Sequence, residues 1–234
     1  EIKGEGARAW LDSLVTGRLP KEGRIGLVYF ATEKGKTLTE MTATCFGENH
    51  FWLITGAGAL WHDRDWLLHR MPTDGSVEFK DITRAMGSLL LTGPKSPAIF
   101  EKATGASGEQ ASFPWLTHQN VSIAGVDAVA IRVSFAGEAG WEFHADMDQL
   151  HTVWDAIMDA GQDHNLGLFG MLALDSMRLE KGYRSWKSDL TSDYSLLESG
   201  LGRWVNLNKE NFVGKAALQA EMQRGVSKQF VTMT

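Results

Sequence analysis

Two glycine-punctuated runs constrain this chain more than any other feature. The first reads Val-Ser-Phe135-Ala-Gly137-Glu-Ala-Gly140-Trp-Glu142-Phe, and the second Leu174-Asp-Ser-Met-Arg178-Leu-Glu180-Lys-Gly182-Tyr-Arg-Ser-Trp186. Ala130 to Phe135 alternates and carries β-branched residues, so it reads as a strand. Gly137 and Gly140 bracket a tight turn, where glycine takes a left-handed conformation without steric cost. Trp141 to His144 reads as the returning strand. Its period of two sets Trp141 and Phe143 on one face and Glu142 and His144 on the other. A carboxylate held on a strand just past a glycine turn is well fixed and reachable, although a solvated strand residue has the same pattern.

Upstream, Gly6 to Leu14 is expected to form a helix with Ala7, Trp10, Leu11 and Leu14 inward. Arg24–Ala31 and Thr37–Phe46 form a hairpin across Glu33-Lys-Gly35-Lys, followed by a strand at Phe51–Thr55. Gly56-Ala-Gly58 opens a helix through Leu60, Trp61, Leu67 and Leu68. It is not a dinucleotide fingerprint, because Trp61 occupies the third glycine position and the preceding strand belongs to a meander. Val77–Ile82 and Met86–Thr92 read as strands. Gly93-Pro-Lys-Ser96 lacks the spacing of a phosphate loop, so Ser96 is expected to cap a helix that starts at Pro97. Gln119–Ile123 and Val126–Phe135 are strands joined at Gly125. Asp146 is expected to cap a helix with Leu150, Val153, Trp154, Ile157 and Met158, and Met171–Lys181 forms a second helix ended by Gly182.

This order describes an α+β protein of antiparallel meander sheets with segregated helices. The similar halves break near Thr92–Ser96. The expected organisation is a first α+β unit over 1–92, a second over 93–215, and the start of a C-terminal barrel over 216–234. Lys-Gln-Phe-Val-Thr-Met-Thr at the end reads as the opening of a strand with no partner after it, as expected of a fragment of a longer protein.

With 23 basic and 29 acidic side chains in 234 residues, the net charge of -6 disfavours nucleic acid as a partner. No apolar run has the length of a bilayer span. Cys45 is the only cysteine, which excludes an intrachain disulfide and suits a reducing compartment. His62 and His69 lack the further Cys, Asp or Glu of a zinc set, so no metal is expected.

Phe135-Ala-Gly-Glu-Ala-Gly-Trp-Glu142, then Arg178-Leu-Glu-Lys-Gly-Tyr-Arg-Ser-Trp186, then Asn211-Phe-Val-Gly-Lys-Ala-Ala-Leu218, resembles the folate-binding aminomethyltransferase family. That family includes the glycine-cleavage T-protein and the folate domains that follow flavin domains in dimethylglycine and sarcosine dehydrogenases, and the likeness is greatest to the latter branch. The resemblance covers nearly the whole chain. It implies two intertwined α+β units with helices packed on one side of their sheets and a ligand site between the units. It also implies more folate-domain sequence before this chain and a small β-barrel after it, most of which is missing here.

The resemblance carries roles to particular residues. Glu142 matches the pterin-binding glutamate, whose carboxylate accepts paired N–H donors much as it accepts a guanidinium fork. Glu138 matches the other glutamate of the turn. Arg178 is implied to contact folate; read from the residues alone, Asp175 three positions before it orients it as a structural pair, and Lys181, Arg184 and Lys187 add positive charge that suits an anionic glutamate tail. Glu40, in Thr39-Glu40, matches by position the family's hairpin Asp, which addresses the folate nitrogen that attacks the one-carbon unit. Trp186 and Trp204 are placed to flank a flat ring. Phe135 departs from the family's usual tyrosine: its ring can stack, but it has no hydroxyl.

The implied activity is tetrahydrofolate-dependent aminomethyl transfer. An upstream, covalently linked flavin domain carrying FAD would oxidise an N-methylated amine such as dimethylglycine to an iminium, and tetrahydrofolate would leave as 5,10-methylene-tetrahydrofolate. The alternatives are another folate-dependent demethylase or methyltransferase, or a non-catalytic folate-binding module. The implied location is cytoplasmic, or the mitochondrial matrix in a eukaryote, with neither nucleic acid nor membrane as partner.

Overall fold

The structure, a computed structural model, describes residues 1–233. In chain order its elements are β1 (Ile2–Lys3), α1 (Ala7–Leu14), β2 (Ile25–Ala31), β3 (Thr37–Gly47), β4 (His50–Ile54), α2 (Leu60–Leu68), β5 (Glu78–Phe79) and β6 (Met86–Thr92). There follow α3 (Ser96–Thr104), β7 (His118–Ile123), β8 (Val126–Ile131), β9 (Gly140–Asp146), α4 (Leu150–Gly161), α5 (Met171–Glu180) and α6 (Lys215–Arg224). The strands form two antiparallel sheets, ordered β2-β3-β4-β1-β5 and β6-β9-β8-β7. Among the described residues no barrel closes.

The chain divides into two compact units, Glu1–Lys80 with Arg184–Thr234, and Asp81–Tyr183. The expected break near Thr92 is therefore displaced. All seven residues of β6 pair with β9, from Met86↔Asp146 to Thr92↔Gly140, so backbone hydrogen bonding commits β6 to the second sheet. Similarly, 184–224 does not extend the second unit, because its apolar side chains cover the first sheet.

In the first unit the alternation of β2 sorts its residues to two faces. Val28 and Phe30 join Trp10, Leu11 and Leu14 of α1 with Met41 and Phe51 in one buried cluster. Tyr29 and Ala31 join Leu190, Leu196, Leu197, Leu201, Phe212 and Leu218 in another. The turn between β2 and β3 shows how late sequence locks an early hairpin. Gly35 has φ +74°, and a Cβ there would lie 3.1 Å from Leu218 Cγ on α6. The Thr37 N–H donates to the Tyr194 carbonyl at 3.0 Å, and the Leu196 N–H to the Gly35 carbonyl at 3.3 Å.

In the second unit, Phe100 of α3 stacks on Trp141 with centroids 4.5 Å apart. Val153, Ile157 and Ala160 of α4 complete the same cluster against Ile123, Ala128, Ala130 and Phe143. These inward positions repeat at helical spacing in α3 and α4 and at period two in the strands.

Several local expectations change. Lys95 is the N-cap of α3, with Ser96 inside the helix, because the Ser96 hydroxyl donates instead to the Ala139 carbonyl at 2.7 Å. Asp146 makes no capping bond; a 3-10 turn over Met147–Gln149 precedes α4. β8 ends at Ile131, and the Thr92 and Ser134 hydroxyls pair at 3.0 Å where the strand was expected to continue. The strand expected at Val77–Ile82 contracts to β5. β1 and α6 were not anticipated. The strand expected at the end does not form over 228–233, where the Phe230 N–H donates to the Glu198 carbonyl at 2.8 Å; Thr234 lies outside the described residues.

Candidate functional site

In the second unit, the turn over 135–140 delivers β9 and thereby Glu142. Gly137 has φ +76°, and a Cβ there would fall 2.1 Å from Lys181 Cγ, so the lysine stem lies directly against the turn. Gly140 admits the Leu91 carbonyl oxygen to 2.7 Å of where a Cβ would stand. Glycine is required at the first for conformation and approach, and at the second for approach alone. The end of α5 meets the same turn: Lys181 Nζ is 3.8 Å from Glu138 Oε1, and the Phe135 ring stacks on Tyr183 at 6.4 Å.

Glu142 faces away from the buried Trp141 and Phe143, as the alternation predicts. Its side chain is 30% exposed, and His144 Nε2 lies 3.2 Å from Oε2. An ionised carboxylate has lone pairs to spare beyond that single contact. His144, expected on the same face, is buried.

Arg178 is buried, unlike the rest of α5. Its Nε and Nη2 both reach Asp175 Oδ1 at 2.7 Å, and Nη1 donates to the Tyr183 carbonyl at 3.0 Å. Asp175 and the Tyr183 carbonyl thus hold the guanidinium, which ties the chain leaving α5 back to the helix. The second unit therefore brings Phe135, Tyr183 and Lys181 together beside the turn, with Glu142 one strand step beyond it.

In the first unit, Glu40 lies on β3 opposite Tyr29 of β2. The Tyr29 hydroxyl donates to Glu40 Oε2. Burial raises the proton affinity of Glu40 above that of an ordinary glutamate, and the Tyr29 hydrogen bond offsets part of the rise. Burial and the adjacent Glu40 charge push the Tyr29 phenol far up, against the opposing charges of Arg203 and Arg184. A carboxylate of raised proton affinity in a fixed rotamer is a stronger proton acceptor than an ordinary glutamate.

Trp186 and Trp204 pack against the cluster that contains Tyr29. Trp204 meets the Tyr29 ring edge-on at 5.2 Å, and Arg203 lies 3.7 Å over Trp204. The Trp186 indole N–H is buried with no acceptor among the described residues. Arg184 and Lys187 serve local ends: Arg184 donates to the Ser199 carbonyl at 2.6 Å, and Lys187 to the Gly58 carbonyl at 3.3 Å.

Tyr29 was not singled out from the sequence, and His144 was placed on the face of Glu142 by its period of two without being given a role. Tyr29 could not be paired with Glu40 by counting outward from the turn, because the register shifts between Phe30 and Ala31. His62 contacts Asp63 Oδ1 at 2.9 Å and His69 its own helix at the Asp65 carbonyl, and among the described residues no metal-ligating group of three or more gathers. No helix is long and apolar enough to cross a membrane among the described residues.

A two-sheet α+β architecture with this topology is that of the glycine-cleavage aminomethyltransferases. The crystal structure of glycine cleavage system aminomethyltransferase T from Bartonella henselae superposes with a TM-score of 0.82 over 96% of this chain and 60% of that one, at 22% identity. The family model described as GCVT N-terminal domain matches residues 1–209, and the chain belongs to that family. Its relatives include the mitochondrial dimethylglycine dehydrogenase of Homo sapiens, 34% identical over all of this chain and 27% of that protein. They also include an aminomethyltransferase of Caldanaerobacter subterraneus, 28% identical over 98% of this chain and 62% of that protein. The chain thus spans about a quarter of the first relative's length.

Proposed function

We propose that this chain is a tetrahydrofolate-binding domain that supports aminomethyl transfer, working with a flavin domain that oxidises an N-methylated amine such as dimethylglycine. The kinship with dimethylglycine dehydrogenase over the whole chain supports this choice of amine class. The single observation that carries the reading is Glu40: a carboxylate of raised proton affinity, held in one rotamer by Tyr29.

Bound tetrahydrofolate would supply the two nitrogens that take the methylene of the iminium: two new C–N bonds form, the carbon's bonds to the original amine break, and the demethylated amine leaves with one of the two released protons, giving 5,10-methylene-tetrahydrofolate. Glu142 fits the pterin because it is an accessible acceptor with one engaged oxygen. Arg178 would contact an anionic or carbonyl group of the ligand, and the Asp175 side chain beside it is 56% exposed. Phe135 and Trp186 offer ring faces. Glu40 would receive the other of the two protons that the folate nitrogens release. FAD would bind outside these residues and oxidise the amine there. The chain itself contributes placement and one base.

Phe135 favours a second reading, a folate-binding module without transfer, because the hydroxyl usual at that position is absent. Tetrahydrofolate titration followed by tryptophan fluorescence, with correction for folate absorbance, tests binding. Glu142→Ala is expected to weaken it by about 1.5–3 kcal/mol, the scale of a hydrogen-bonded charge. Absence of saturable binding in the folded chain and in the full-length protein sinks both readings, and binding without any folate-dependent product selects the second.

A further inference from the structure

Tyr29 is almost wholly buried, yet its hydroxyl is neither left over nor spent on backbone. It is directed at Glu40, the carboxylate proposed to take up the proton. The two residues are directly opposed on adjacent antiparallel strands, so their side chains leave the same face of the sheet. Three further elements hold the phenol in place: Trp204 contacts its ring edge-on, Arg203 covers the outer face of Trp204, and Leu190, Leu196 and Leu201 pack the same cluster. The charged and titratable groups that bear on this pair are Arg203 and Arg184, both from the segment after 183. Asp63 contacts Thr39 instead, the neighbour of Glu40 whose side chain leaves the opposite face of β3.

We propose that Tyr29 is the positioning residue of Glu40: its hydroxyl donates to the carboxylate, fixes its rotamer and favours the ionised form that accepts a proton from the substrate. The proposal rests on the reading of Glu40 as the base. Without the donor, burial would act on Glu40 unopposed, and the carboxylate would hold its own proton to higher pH. Arg203 and Arg184 cannot replace the bond, because their charges act at a distance whereas the hydroxyl acts by contact. Packing alone does not require the hydroxyl, since phenylalanine would fill the same space.

The test uses glutamate labelled with 13C at its carboxyl carbon, followed by NMR from pH 4 to 9, with the Glu40 resonance assigned by its loss in Glu40→Gln. Tyr29→Phe is expected to raise the titration midpoint of Glu40 by about 1 to 2 pH units, the equivalent of one hydrogen bond to a charged group. Should Tyr29→Phe fail to fold, uniform 3-fluorotyrosine strengthens the phenol as a donor without removing it, and is expected to lower the midpoint. The sequence has only three tyrosines, so Tyr183→Phe and Tyr194→Phe controls isolate the effect.

In parallel, formaldehyde and tetrahydrofolate serve as the transfer probe. The acid limb of the folate-dependent rate should move upward in Tyr29→Phe by the same amount, with the KM for tetrahydrofolate unchanged. An unmoved Glu40 titration in a chain that still accelerates the reaction overturns the role of Tyr29 alone. A moved titration in a chain that never accelerates the reaction overturns Glu40 as base, and the positioning role with it.

Discussion

Lys209 offers the sharpest test of how the first unit is held together. Its side chain is only 7% exposed, and its ammonium donates to the carbonyls of Asp12, Val15 at 2.8 Å and Gly17 at 3.0 Å and lies 3.2 Å from Asp12 Oδ1. These carbonyls belong to the last turn of α1 and the residues after it, where a helix leaves acceptors without intrahelical donors. A lysine nearly two hundred residues distant thus caps the helix and ties the late segment to the first sheet's core.

The magnitude follows from opposing terms. Three hydrogen bonds to a charged donor contribute about 1.5–3 kcal/mol each, and Lys209→Met forfeits all of them. The same substitution removes an ammonium whose burial already holds its pKa below the usual lysine range, and so recovers part of that desolvation cost. Methionine keeps most of the apolar stem. The net expectation is a loss of about 3 kcal/mol.

Urea unfolding at pH 7 measures the total, and native-state hydrogen exchange locates it. Amides of α1 and β2 should lose protection, while those of β8 and β9 in the other unit should not. A loss below about 1 kcal/mol would mean that water satisfies the α1 carbonyls as well as Lys209 does, and would refute the argument. Loss of protection spread evenly over both units would refute its locality.

Three further outcomes are expected. Phe100→Ala should cost the second unit about 3–5 kcal/mol by chemical denaturation, because the ring is fully buried and contacts Phe113, Trp141 and Phe143. Gly137→Ala should cost about 1–2 kcal/mol, from the left-handed conformation, and should weaken tetrahydrofolate binding by displacing Lys181 and the turn before Glu142; unchanged binding would separate the turn from the ligand. Glu40→Gln should abolish transfer yet change the pH dependence of stability in a defined direction. The folded carboxyl binds its proton more tightly than the unfolded one, so the wild type loses stability as pH rises from the unfolded value of 4.5 through the raised folded value. Glutamine has no such slope, so the variant should gain on the wild type across that window in thermal melts from pH 4 to 8.

Much of the architecture was legible because it is local. Hydrophobic spacing located α1, α2 and α4, the Ser96-Pro97 start signal located α3, and β-branched runs bounded by glycines located the longer strands. The glycine turn before Glu142 and the helix holding Arg178 stood out as motifs. What spacing cannot express is which faces meet over long separations. Nothing local announces that β6 pairs with β9, or that 184–224 covers β2. Short strands such as β1 carry too few residues for a period to show, and only their partners β4 and β5 define it.

The Glu40 hairpin marks the boundary most clearly. The sequence by itself determined that two strands flank Glu33-Lys-Gly35-Lys and that Glu40 lies on the second. Counted outward from the turn pair Ala31↔Thr37, Tyr29 would oppose Thr39 and Glu40 would share the face of Val28. A bulge between Phe30 and Ala31 inserts one residue and reverses both assignments. Thr39 then leaves the face that meets Asp63 of α2, and Glu40 the face that meets Tyr29. The bulge settles in that register because it buries Phe30 and Met41 against α1 and Tyr29 against the late apolar segment, and those contacts exist only once the distant parts of the chain have come together.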